Sequence, residues 1–299
     1  MSKDVPHIVI MGNICASNLK NFLDEFFHPD HEGGKRQCIV IDNCRPSNAI
    51  IDTIKHPAYG QQVVYLEGDQ QLPETLKRSD IFNADSVMIL NDKLSPDASH
   101  ADTEIILQAM FIKNFLLQNN TNVNICMQLL KPESSLNYHL SLDTEVVKND
   151  QIVCIEQIKF SLMAKSCLCP GLVTLISNII QSSGDPPDEL VARGQSNWDW
   201  LLEYWQGKTF EIYREEIPYR FAGKQFCSIA NDIYKEDGLL LFALEIVVNN
   251  KQGGIMLNPG DYRLPRPPSY SNDKYTYYGY FIAGSKDETE NIMIFQDSN

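Results

Sequence analysis

Short apolar runs punctuate the first half of the chain at Ile8–Met11, Cys38–Ile41, Val63–Leu66, Ser86–Leu90, Ile125–Leu129 and Ile152–Ile155. Their apolarity is continuous rather than alternating, which marks strands covered on both faces. Between them, Asn18–Phe27, Ser47–Ile54, Pro73–Phe82 and Thr103–Leu117 carry apolar residues at helical spacing. Strand and helix alternate, and that order predicts a mainly parallel sheet wound with right-handed crossovers.

From Glu156 the pattern changes. Gln157–Ala164 and Leu172–Ile180 read as two helices, with Cys169-Pro170-Gly171 stopping the first and turning the chain into the second. Apolar residues such as Ile158, Phe160, Met163, Leu175 and Ile179 lie around much of both circumferences, so something must cover them, either the two lobes or another subunit. Ser182–Asn197 is polar, with Pro186-Pro187 and Gly194, and reads as a linker. Beyond it Gly238–Val248, Gly254–Leu257, Tyr275–Ala283 and Ile292–Phe295 look like strands. Turns fall at Asn249-Asn250, Asn258-Pro259-Gly260 and Arg266-Pro267-Pro268. The expected fold class is α/β: a Rossmann-like, mainly parallel sheet lobe over 1–155, a helix-turn-helix assembly segment over 156–181, and a smaller α+β C-terminal lobe over 182–299.

Composition narrows the functions. The 299 residues suffice for two ordinary domains, and 43% apolar with 21% charged residues is the balance of a compactly folding chain. A net charge of −14, with no window dominated by Lys or Arg, argues against nucleic acid as a partner. No apolar stretch has the length of a membrane span and no signal-like segment precedes His7, so a cytoplasmic segment that does not enter the bilayer is expected. The eight cysteines sit mostly in apolar runs and read as small core residues. Cys167-x-Cys169 lacks a second pair at zinc spacing, which points to a buried structural role.

Several segments are candidates for chemistry. A dinucleotide site needs glycines after the first strand and an acid after the second. The turn Gly12-Asn13-Ile14-Cys15-Ala16-Ser17 keeps one glycine, and Asp42 stands where the ribose acid would, so a nucleotide reading rests on those two residues. There is no Gly-x-Ser-x-Gly elbow and no histidine paired with a cysteine or acid, so no enzyme is expected. His28 and His31 lie in a polar run that is either a metal-binding composition or a loop. Carboxylates cluster along Asp92–Glu104, directly after the fourth apolar run, where an α/β sheet places its ligands. They suit a hard cation. The alternative is that Asp102 caps a helix beginning near Thr103.

Five segments in order, Phe22-Leu-Asp-Glu-Phe26, Val64-Tyr-Leu-Glu-Gly68, Ile112-Lys-Asn114, Cys167–Gly171 and Leu257-Asn-Pro-Gly260, resemble the first RCK domain (regulator of potassium conductance) of Slo-family potassium channels. The resemblance implies a cytosolic domain joined through a linker to a pore, assembling with other RCK domains into the gating ring of a tetrameric channel. It gives the apolar helix pair a partner RCK domain to bury it. In the calcium-activated branch it further implies a Ca²⁺ site. Counting from Ile112-Lys113-Asn114, the resemblance places the aspartate of that site at Asp102, a further acid at Asp97 and the glutamate at Glu211, with backbone carbonyls from Thr209 and Ser183. One cation shared by Asp102 and Glu211 is the expectation. Gln128–Glu133, Cys167-Leu-Cys-Pro170 and Pro57–Gly68 are closer to the sodium-activated branch, and Ser183 replaces the family's arginine, so Na⁺ sensing or an ion-insensitive structural module stands as the alternative.

Overall fold

The computed structural model describes residues 5–28, 36–59, 61–184, 199–249, 251–266 and 273–289. His31, Asn250, Pro267, Pro268, the expected strand at Ile292–Phe295 and most of the 182–197 linker lie outside the described residues. The chain forms two compact units, Met1–Val173 and Thr174–Asn299.

The first unit is a six-stranded parallel sheet built from β1 (His7–Gly12), β2 (Gln37–Asp42), β3 (Val63–Glu67), β4 (Ser86–Leu90), β5 (Asn124–Leu129) and β6 (Gln151–Cys154). The strand order is β3-β2-β1-β4-β5-β6 and every neighbouring pair is parallel. The connecting helices are α1 (Ala16–Phe26), α2 (Asn48–Ile54), α3 (Pro73–Arg78), α4 (Ala98–Gln118), α5 (Pro132–Ser141) and α6 (Thr144–Val147).

Successive strand residues point to opposite faces, so each continuous apolar run feeds two cores at once. Ile8, Ile10, Cys38 and Val40 pack with Leu19 and Leu23 of α1 and Ile50 of α2. Val9, Met11, Ile39, Ile41, Val87 and Ile89 pack with Ile105, Ala109, Ile112 and Leu116 of α4. The expected helix over Pro73–Phe82 is divided, because Asp80 takes a left-handed conformation between α3 and a short 3-10 turn at Ile81–Asn83.

Beyond β6 come α7 (Ile155–Leu168) and α8 (Leu172–Ile180), with Gly171 at positive φ in the turn between them. The unit boundary falls inside α8. No residue of either helix is buried, and Phe160 is 57% and Leu168 87% exposed. This corrects the expectation of a buried Cys167-x-Cys169: both thiols are exposed, since the apolar surface around them is left uncovered by the chain. Of the eight cysteines only Cys38 and Cys154 are buried, and all eight are unbridged.

The second unit holds α9 (Asp199–Lys208), α10 (Phe226–Asp237) and four strands, β7 (Glu211–Ile217), β8 (Leu240–Val248), β9 (Lys251–Leu257) and β10 (Tyr275–Ala283). The strands form an antiparallel sheet in the order β7-β10-β8-β9. Phe226, Ile229 and Ile233 of α10 pack on Ile217, Leu241, Leu244, Tyr277 and Phe281 of the sheet. Gly238, at positive φ, ends α10 in the left-handed conformation that suits glycine. Among the described residues no helix is long and apolar enough to cross a membrane.

A buried ion pair ties α4 to the sheet. Lys113 Nζ donates to Asp150 Oδ1, to Asn122 Oδ1 and to Val123 O, each at 2.8 Å, so all three of its protons are used. Asp150 also accepts from Ile125 N at 2.8 Å and from Tyr138 Oη at 2.7 Å. Burial, with Asp150 beside it, raises the Tyr138 phenol well above the usual range. Removing one partner of such a pair strands the other charge without solvent. Lys113→Met is expected to cost about 3–5 kcal/mol, read as a lower urea midpoint at unchanged slope.

Candidate functional site

Strand order reverses between β1 and β4, and at such a switch the carboxyl ends of the strands splay and leave a crevice. A cavity of about 1060 Å³ opens there, lined by Asn13, Cys15, Asp42, Arg45, Asp92 and Glu104 among others. The sequence-derived nucleotide candidates both sit on its wall.

Gly12 ends β1 at φ +100°, and a Cβ built on it would lie 2.2 Å from Leu90 O. The glycine is therefore demanded by the close approach of β1 to β4, without reference to a ligand. Asn13 N donates to Leu90 O at 2.8 Å. Gly12 N donates to Gln70 Oε1 at 3.1 Å, and Gln70 Nε2 donates to Gly12 O at 3.2 Å and to Ile41 O at 2.9 Å. Gln108 Nε2 of α4 donates to the same Gln70 oxygen. Asp42 ends β2 and accepts from Tyr65 Oη at 3.1 Å. Burial first, and Asp42 second, raise the Tyr65 phenol.

Gln70 and Gln108 were missed by sequence reasoning. The available signal was Gln108 itself, a polar residue on the apolar face of α4 between Ile105 and Ile112.

The acidic segment after β4 departs from the reading of Asp102 as a helix cap. Helix α4 begins at Ala98, and its N-cap is Asp97, whose Oδ1 accepts from Ser99 N at 3.0 Å and His100 N at 3.1 Å. The His100 amide foremost, with that of Ser99, holds the exposed Asp97 carboxyl below its ordinary value. Asp102 is thus no cap; it lies a turn inside the helix and is 0% exposed. Its Oδ1 accepts from Asn91 Nδ2 at 2.9 Å and Leu130 N at 2.8 Å, and its Oδ2 from Lys131 N at 2.9 Å. One carboxyl joins the end of β4, α4 and the turn from β5 into α5.

In the second unit Glu211 opens β7 opposite Ala283 of β10 and is 5% exposed. Thr209 lies between α9 and β7, its Oγ1 donating to Gln206 O at 2.8 Å. Ser183 is buried just after α8. Of the five expected site residues, Asp97 and Asp102 belong to the first unit, and Ser183, Thr209 and Glu211 to the second.

Calcium takes six to eight oxygens, and a carboxylate offers about four lone-pair directions. Three of those on Asp102 are committed to N–H groups, so the acids of the first unit do not make a calcium cage on their own. Among the described residues, no group of three or more His, Cys, Asp or Glu side chains is placed to hold a metal.

Fold and cleft define a Rossmann-type α/β domain followed by a small α+β unit. Two models of one channel family match successive parts of the chain. The calcium-activated potassium channel slowpoke-like RCK domain matches residues 3–135, and the calcium-activated BK potassium channel alpha subunit matches residues 150–244. The chain belongs to the RCK domains of the Slo potassium-channel family. It is 26% identical over 291 residues to the calcium-activated potassium channel slo-1 of Caenorhabditis elegans, covering 97% of this chain and 24% of that protein. It thus spans about a quarter of the length of that relative. Among solved structures, the human SLO3 gating ring shares the fold with a TM-score of 0.69 and 20% identity, over 98% of this chain and 47% of that one.

Because Asp102 is buried and serves three donors, Asp102→Ala leaves those donors unsatisfied in any ionic condition. The expected loss is about 3 kcal/mol, measured by urea unfolding in chelated buffer. An unchanged midpoint there would refute the clamp.

Proposed function

We propose that this chain is a cytoplasmic, non-catalytic regulatory domain of a Slo-type potassium channel, which binds an intracellular cation, Ca²⁺ in the first place, and passes the change to the pore as altered geometry of lobes or subunits. The observation that carries the regulatory and assembly part is the uncovered apolar surface of α7 and α8, where no residue is buried. A large exposed apolar patch marks a protein interface, and the family's use for it is contact with another RCK domain in a gating ring.

The cation part rests on Asp102 and Glu211. The resemblance assigns the acids of the site to these two positions, which are buried at 0% and 5% exposure. Thr209 and Ser183 supply carbonyls in this reading, and Asp97 serves through the cap that sets the start of α4. A cation acts on a gate only through its differential affinity for two arrangements, so its charge must be taken up by groups that the two arrangements hold differently. Sodium fits the same acids with fewer ligands.

A second reading is favoured by one observation, the three N–H donors already on Asp102: the acid is a clamp and the module is an ion-insensitive scaffold.

Titration calorimetry separates them. The cation reading expects one saturable Ca²⁺ heat for the full chain, lost in Glu211→Ala and in Asp102→Ala, with Na⁺ titrated in parallel. A wild-type chain giving no heat with either ion, while light scattering still shows oligomers, would leave the scaffold.

A further inference from the structure

Gln70 stands in the loop after β3 and hydrogen-bonds both the N–H and the C=O of Gly12, at the turn after the first strand where a doubly wound sheet binds phosphate. A primary amide has two donor protons and two acceptor lone pairs. Here all four are used: the protons on Gly12 O and Ile41 O, the lone pairs by Gly12 N and Gln108 Nε2. The residue is 6% exposed, and its own backbone N–H is held by Asn43 Oδ1 at 3.0 Å. One side chain thereby joins the ends of β1 and β2, the loop after β3 and the body of α4. The ends of β1 and β2 are two of the places a dinucleotide touches when it lies across such a sheet.

The rest of the cavity has the wrong sign for phosphate. Asp42, Asp69, Asp92 and Glu104 line it against a single Arg45, whose guanidinium is drawn to Glu67 at 3.7 Å. Cavities lined by one sign of charge repel ligands of that sign.

We propose that Gln70 is a built-in substitute for the phosphate of a nucleotide. It holds the Gly12 peptide from both sides, closes the cleft to nucleotides, and supplies from within the cross-link that a bound ligand gives other doubly wound sheets. This is independent of the cation reading.

The test uses the full 299-residue chain with ADP, NAD and inorganic phosphate as probes. Wild type should show no binding heat and no rise in melting temperature at millimolar probe, and the Gly12 amide resonance should stay in place. Gln70→Ala should melt several degrees lower; with Asp92→Asn and Glu104→Gln added, which lighten the acidic wall, ADP or phosphate should restore part of the loss, since a ligand binding only the folded form raises its melting temperature. Gln70→Glu keeps the acceptor but loses both donors; it should melt lower and gain nothing from phosphate. Saturable nucleotide binding by wild type that shifts Gly12 would overturn the proposal, and so would an alanine variant as stable as wild type or a wall-neutralised alanine variant that neither probe restores. If the alanine variant does not fold, the wild-type calorimetry and Gly12 resonance still decide.

Discussion

A parallel sheet buried on both faces has a problem at its ends, where backbone groups leave the ladder but have not yet reached water. An unpaired buried amide or carbonyl costs as much as a lost hydrogen bond. In the first unit this demand is met by a few side chains reaching between elements. Asp102 serves the amides of Leu130 and Lys131, Gln70 serves the Gly12 peptide and Ile41 O, and Asp150 serves Ile125 N. Each ties a strand end to a helix or loop, so the polar residues of the sheet edges act as joints. Lys113 lies under one of them, which explains a lysine buried as deeply as the aliphatic residues around it.

The same joints decide what the edge can do. Positions that would address a ligand in other doubly wound sheets are occupied by the chain's own amides and carboxyls. Gly12, whose freedom a pyrophosphate would use, is required by Leu90 O. The cleft remains open but its walls are acidic. The apolar residues of α7 and α8, by contrast, are left unburied.

Much of this was legible in the residues. The continuous apolar runs placed all six strands of the parallel sheet to within one or two residues, and Cys169-Pro170-Gly171 marked the break between α7 and α8. The start of α4 was placed at Thr103 because apolar periodicity begins there; the helix begins at Ala98, since Asp97 caps it and five polar or small residues, of which Ala101 and Asp102 are buried, extend it with no apolar repeat. Helix α10 went unnoticed although Phe226, Ile229 and Ile233 have helical spacing, and α5, α6 and α9 and the strand β7 were likewise unexpected. The mostly polar α5 and the charge-rich Glu211–Ile217 give short, ambiguous patterns. The cysteines were read as core residues from their neighbours, but neighbours in sequence on an uncovered helix are not neighbours in a core.

Sequence alone determined the α/β class, the six strands of the parallel sheet and the helix pair, because burial on two faces leaves continuous apolar runs, and its motifs carried the family resemblance. Tertiary structure decided the tasks of individual polar residues. Asp102, Gln70 and Gln108 carry no mark in the chain of being a clamp or a plug. Their partners are 28, 58 and 38 residues away, and hydrogen bonding depends on distance and direction that only the packed sheet sets.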